Sequence, residues 1–244
     1  MKTLESVKSL LSPLLSSNSW RTLGRYMGLG NQKSNRLISS PGALAQFINS
    51  RASHVTQTSL YGYLRTRAGT RFPELFENPD ILTSINIAKW HIWLACVSDL
   101  CVFSGLLIHQ SDRVKPSEIK LLMASTLELI LQETEIPQEA GSDFETAWEK
   151  LRQRINTCDW TLDREDDAVF SQSPEALYYW APIADELKQR DEAIVRNSVR
   201  FRWIEVRRSA RSLIDIDSLT NIGSETRTGL NSYDPAQSEH SPSD

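Results

Sequence analysis

Residues 91–108 read HIWLACVSDLCVFSGLLI, and this most apolar stretch of the 244-residue chain decides the fold. It is long enough to raise the question of a membrane span, but Asp99 lies at its centre. A central aspartate costs about 3 kcal/mol in a bilayer, against about 0.5 kcal/mol gained per leucine or isoleucine. Because a helix apolar on nearly all sides also suits the middle of a bundle, we predict a buried helix and no transmembrane span. We expect Asp99 to be a buried polar anchor, paired with an arginine from another helix.

Helix signals lie on both sides of this stretch, and no segment alternates polar and apolar residues as a strand would. Ser40-Pro41 is a strong helix start, and Ser142 with Glu145 forms a capping-box pattern. The sequence therefore predicts an all-α fold, an irregular bundle of about six to seven helices. The expected segments are helices at 41–52 and 55–67, a turn at 78–80, a central helix at 84–109, helices beginning near 116, 143, 173 and 182, and an acidic loop at 159–172.

The longest predicted helix runs from Pro182 to about Ile216 and has one buried face. Its apolar residues recur at steps of three and four, as in an amphipathic helix. They are Val195, Val199, Trp203, Val206, Ala210 and Leu213. We expect the bundle to pack around the central helix, through Trp93, Leu94, Val97 and Leu100.

Charge is distributed unevenly along the chain. The first 72 residues carry ten lysines and arginines against one acid, a net charge of +9, whereas residues 73–188 have a net charge of −12. Residues 1–39 are predicted to be a basic, flexible arm, either a targeting segment or a binding arm. Residues 223–244 are poor in apolar residues and are predicted to be a disordered tail. The helical domain is then 40–222.

The three cysteines, at positions 96, 101 and 158, match neither a disulfide framework nor paired zinc ligands. No secretory signal pattern opens the chain. Both observations favour a cytoplasmic location, with an organelle matrix or the inner face of a membrane as alternatives.

The sequence contains no G-x-S-x-G, H-E-x-x-H, Walker A or C-x-x-C motif. His91 and His109 share one predicted helix but would lie about 27 Å apart, too far for one metal ion. The acidic segment 163–167 lacks the glycine and the ligand spacing of a calcium loop. We therefore predict no catalytic, cofactor-binding or metal-binding residue, which favours a non-catalytic role.

Two arginine clusters supply the candidate partner-binding residues. The first lies in segment 61–72, where arginines alternate with aromatic residues, as on surfaces that contact phosphate and stack on bases. The second lies on the long helix, which has six arginines and one acid between positions 195 and 211. Arginine pairs in bidentate fashion with carboxylate or phosphate, and the acids at 185–192 are possible partners within the chain. The candidates are Arg65, Arg67, Arg71, Arg196, Arg200, Arg207 and Arg211.

Three functional hypotheses remain open. The first is a helical interaction or assembly module whose arginines contact an acidic protein surface or an anionic membrane surface. The second is an enzyme or small-ligand binder with an inter-helix cavity at Asp99. The third is nucleic-acid binding through Tyr61–Phe72, which the pI of about 5.7 disfavours. The sequence leaves the oligomeric state open.

Residues 60–107 resemble a known family. A tyrosine-containing helix is followed by Asn78-Pro79-Asp80 and then by His91-Ile92-Trp93-Leu94, an order similar to that in the ubiquinol–cytochrome c chaperone family. The similarity covers under a quarter of the chain, and nothing in 183–211 extends it. The resemblance implies a helical fold and a role in the assembly of a respiratory complex.

Overall fold

The computed structural model describes residues 37–134, 138–162 and 166–219. Within these ranges the chain forms helices and no strand, apart from one isolated parallel bridge between Ile38 and Ile214. The prediction of an all-α bundle with about seven helices is confirmed. Residues 1–36 of the predicted arm and the whole predicted tail lie outside the described residues. The helices are α1 (Pro41–Ala68), α2 (Pro79–His109), α3 (Pro116–Thr134), α4 (Phe144–Thr157), α5 (Asp166–Val169), α6 (Gln172–Trp180) and α7 (Asp185–Leu213), with 3-10 turns at Gly69–Phe76 and Gln138–Ala140.

Helix α2 runs through the centre of the bundle, where α1, α3, α4 and α6 pack around it. Its most apolar 18-residue window has a mean hydropathy of 1.8, so length and composition alone would allow a membrane span. Within the fold, however, 89% of that window is buried by protein. The predicted packing of the bundle around this helix is confirmed, while the absence of a span stays a prediction. Its core residues include Trp93, Leu94, Val97 and Leu100.

The first helices are longer than the sequence predicts. Helix α1 continues through Ser53 and His54, where we expected a break, because Ser53 lies buried on the face that packs in the core. Asn78-Pro79-Asp80 is a helix start and not a separate turn. The side chain of Asn78 accepts hydrogen bonds from the backbone N–H groups of Asp80 and Ile81, so α2 begins at Pro79.

Two predictions in the second half of the chain are also corrected. Helix α4 begins after Asp143, and no side-chain capping bond forms at its start, so the predicted capping box is absent there. The segment 159–172 contains the short helix α5 and the first residue of α6, and is not a plain loop. Residues 163–165 of that segment lie outside the described residues.

Helix α7 buries one side against the bundle, as its apolar spacing predicts. Val195, Val199, Trp203, Val206 and Ala210 are buried there, whereas Leu213 is half-buried. Two backbone hydrogen bonds join the end of α7 to the start of the described chain. The Ile38 N–H donates to the Leu213 carbonyl at 2.7 Å, and the Asp215 N–H donates to the Ile38 carbonyl at 3.1 Å.

We predict that Gly105→Ala destabilises the fold by about 1–3 kcal/mol, because the new Cβ would overlap the buried Trp160 ring that packs on α2. The free energy of unfolding in urea measures this loss. Gly42→Ala is the matched control, since a Cβ at Gly42 meets nothing within 4 Å and alanine favours the helix. Equal stabilities for the two variants would contradict this packing.

Candidate functional site

Asp99 lies at a junction of four helices. Its Oδ2 accepts hydrogen bonds from the Ser173 N–H and O–H, both at 2.8 Å. Its Oδ1 accepts from the Gln172 N–H at 3.3 Å and from the Arg154 guanidinium at 3.1 Å. The indole N–H of Trp203 in turn donates to Ser173 Oγ at 2.9 Å. Helices α2, α4 and α6 thus meet at one carboxylate, to which α7 is joined through Ser173, and the predicted pairing with an arginine from another helix is observed.

The protonation of Asp99 is governed by opposing effects. Burial raises the pKa of this carboxyl group, while the Arg154 charge and the Ser173 donors act to lower it. Four donors point at the two oxygens, which is the arrangement that a carboxylate needs and a neutral acid does not. Asp99 is fully buried, and its acceptor positions are occupied by protein groups. This geometry favours a structural anchor and gives no support to a ligand cavity at Asp99.

The candidates Arg67 and Arg196 form ion pairs within the protein. Arg67 makes a bidentate pair with Asp191 on α7, whose Oδ2 also accepts from the Tyr63 O–H at 2.9 Å. Arg196 pairs with Glu175 on α6 and with Glu192 on α7. Internal acids are therefore the partners of these two, as the acidic residues at 185–192 suggested.

The other five candidates separate into two groups. Arg207 and Arg211 lie over the rings of Phe170 and Phe103, at 5.8 and 5.4 Å from the ring centres. Arg65, Arg71 and Arg200 are exposed, and so is Arg211, whereas Arg207 is half-buried. Arg202 was not among the predicted partner-binding arginines. Its guanidinium donates to the Thr58 carbonyl at 3.0 Å and so joins α7 to α1.

The basic and aromatic segment Tyr61–Phe72 does not present a stacking surface. Tyr61 and Phe72 both pack against Phe76, with ring centres at 6.2 and 5.2 Å. The Tyr63 hydroxyl is bound to Asp191. Because these rings contact the protein itself, the geometry gives nucleic-acid binding through this segment no support.

The surface of α7 that faces away from the bundle carries large apolar side chains. Phe201 is 75% exposed and Ile194 is 72% exposed, while Ile204 and Leu187 are 40% and 36% exposed. Leu187, Ile194 and Phe201 are seven residues apart, so they lie on one side of the helix, and Ile204 follows one turn later. These four residues form what we call the outward face of α7. This face was not predicted from the sequence, although the seven-residue spacing is visible there.

A surface groove of about 400 Å³ lies beside the first turn of α7. Leu187 lines it, so the groove adjoins the outward face, and Arg67 and Arg71 lie among its lining residues. Apolar side chains from α1, the first 3-10 turn, α2 and the residues just before α7 complete the wall. They are Leu64, Leu75, Ile81 and Ile183.

Buried titratable groups elsewhere do not form a second site. Burial lowers the pKa of Lys89 to about 8, although Glu139 lies 4.0 Å away and acts to raise it. His91 stacks on Trp180 at 3.8 Å between ring centres, and burial lowers its pKa as well. Within the described ranges no three His, Cys, Asp or Glu residues are grouped as a metal site would require. Lys89 and His91 are both buried within the protein.

Comparison with known protein families, characterised proteins and solved structures finds no match for this chain. The resemblance of residues 60–107 to ubiquinol–cytochrome c chaperones thus gains no support. Any functional conclusion rests on the geometry of the chain itself.

We predict that Asp99→Asn lowers the free energy of unfolding by about 3 kcal/mol or more, because an amide would face N–H donors and leave Arg154 without its carboxylate. Urea titration of the purified protein measures the change. Asp217→Asn is the control, since Asp217 also pairs with an arginine, Arg113, but both side chains are mostly exposed. That variant should change stability by about 0.5 kcal/mol or less. Similar losses in both would refute the anchor role.

Proposed function

We propose that this protein is a non-catalytic interaction module that binds an acidic, partly apolar surface of a protein partner through the outward face of α7. The observation that carries this proposal is the row of Leu187, Ile194, Phe201 and Ile204 on the exposed side of a helix whose other side is fully packed. Scattered exposed apolar residues need no explanation, but four on one side of one helix favour a binding surface.

The two most exposed residues of this face can contribute favourable free energy to an interface. Full burial of a phenylalanine or isoleucine side chain contributes roughly 1.5–3 kcal/mol relative to exposure. Phe201 and Ile194 retain about three quarters of their exposure in the fold, so most of that contribution is left for a partner. A helix that packs along α7 would cover both residues, because they are separated by two turns on the same side.

The charges around the outward face define the partner's chemistry. Arg190 and Arg200 are exposed beside it, and Arg208 is 71% exposed and paired with Glu205. Arginine favours bidentate pairing with carboxylates at interfaces. The apolar row is narrow and repeats every seven residues from Leu187 to Phe201, which favours a protein helix over an anionic membrane surface.

We predict that Phe201→Asp abolishes binding of the partner, because it places a carboxylate in the middle of the apolar row. The measurement is affinity purification from the cells of origin, with the captured proteins quantified by mass spectrometry. Leu121→Asp is the matched control, since Leu121 is 70% exposed on α3, away from α7. A photo-crosslinking residue at position 201 should label the same partner, and one at position 121 should not.

Thermal unfolding of both aspartate variants verifies that the fold is intact. A partner retained at full amount by Phe201→Asp, or lost equally with Leu121→Asp, would refute the proposal. Labelling of phospholipid in place of protein by the crosslinker would favour the membrane surface and count against a protein partner.

A further inference from the structure

We infer that the partner of the outward face of α7 is a second copy of this chain, packed antiparallel about a two-fold axis near Asn197. This inference rests on the proposed function and names its partner. Two features carry it: the position of the apolar row along the helix, and the opposite charges at the two ends of α7.

The apolar row can pair with its own copy in an antiparallel arrangement. It extends from Leu187 to Ile204, about 25 Å of helix at 1.5 Å per residue. The midpoint between its two most exposed residues, Ile194 and Phe201, lies near Asn197, so a two-fold axis there places the Leu187 end of one row toward the Ile204 end of the other. Ile194 and Phe201 lie on either side of the axis, and each would be covered by apolar residues of the other copy. Such a self-complementary patch is what an isologous dimer requires.

The charges of α7 favour the antiparallel direction. Its first turn exposes Asp185 and Glu186, whereas its last turns expose Arg208 and Arg211. Asp191 and Glu192 are paired with arginines of the same chain, and Asp185 lies 3.7 Å from Lys188, so Glu186 is the exposed first-turn carboxylate left for a second copy. An antiparallel pair brings Glu186 of each copy next to Arg208 of the other. A parallel pair would place the arginine-rich ends side by side, which is unfavourable.

Asn197 supplies the polar element of the interface. It is exposed, lies between Ile194 and Phe201 on the same side of the helix, and accepts a hydrogen bond from Arg200 at 3.3 Å. Near a two-fold axis two asparagine amides can each donate to and accept from the other. A polar residue within an apolar helix seam fixes register at some cost in stability. A single register and direction are therefore expected.

The first test is sedimentation equilibrium of the full chain from about 1 to 200 μM. The mass should rise with concentration from the 27.7 kDa of one copy toward twice that value. Phe201→Asp should raise the dissociation constant at least about thirtyfold, as expected for a central interface residue. Leu121→Asp should leave the constant unchanged. A chain that stays monomeric throughout, or a dimer unaffected by Phe201→Asp, would overturn the inference.

The second test measures direction by disulfide formation between copies, in a Cys158→Ser background. Asn197→Cys should form a covalent dimer on oxidation, because the two copies of this position lie near the axis. Leu187→Cys should not, because its two copies would lie about 30 Å apart in an antiparallel pair. Crosslinking at both positions would indicate a parallel pair and overturn the antiparallel arrangement.

The outcomes separate this inference from the proposed function. A monomeric chain whose Phe201→Asp variant still loses a different protein partner would refute self-association and leave the interaction module intact. A monomeric chain that also captures no partner would refute both.

Discussion

The structure depends on one buried carboxylate and the donors that surround it. Transfer of the Asp99 charge out of water costs several kcal/mol, and only an arginine with further hydrogen bonds can offset that cost. Arg154, Gln172 and Ser173 supply those bonds from two other helices. Because each donor must reach the same two oxygens, the carboxylate fixes the position of α4 and α6 against α2.

The same junction determines which side of α7 faces outward. The Trp203 indole donates to Ser173, so the rotation of α7 about its own axis is tied to the Asp99 site. The Arg67 and Arg196 ion pairs and the Arg202 hydrogen bond restrain the two flanks of the helix. These contacts orient α7 so that Ile194 and Phe201 face away from the core. The exposed face thus results from the way in which the described part of the bundle packs.

The sequence predicted the parts of this arrangement that depend on local pattern. A lone aspartate in an apolar run indicates a buried anchor, and the spacing of Val195, Val199 and Trp203 indicates a buried face. It did not identify Arg154, because that arginine lies 55 positions away in an ordinary amphipathic helix. A helix was expected to begin near Ser173, but its sequence does not show that the N–H and O–H of Ser173 donate to Asp99. The outward face was not predicted, because only the packing of the bundle determines which side of α7 stays uncovered.

Amide hydrogen exchange of Ser173, followed by NMR, tests the central claim most directly. First-turn amides of a helix have no partner within the helix and usually exchange quickly. If the Asp99 carboxylate holds α6 in place, the Ser173 amide should exchange only with global unfolding, while the exposed first-turn amide of Ser117 in α3 exchanges many times faster. Equally fast exchange at both positions would contradict the account.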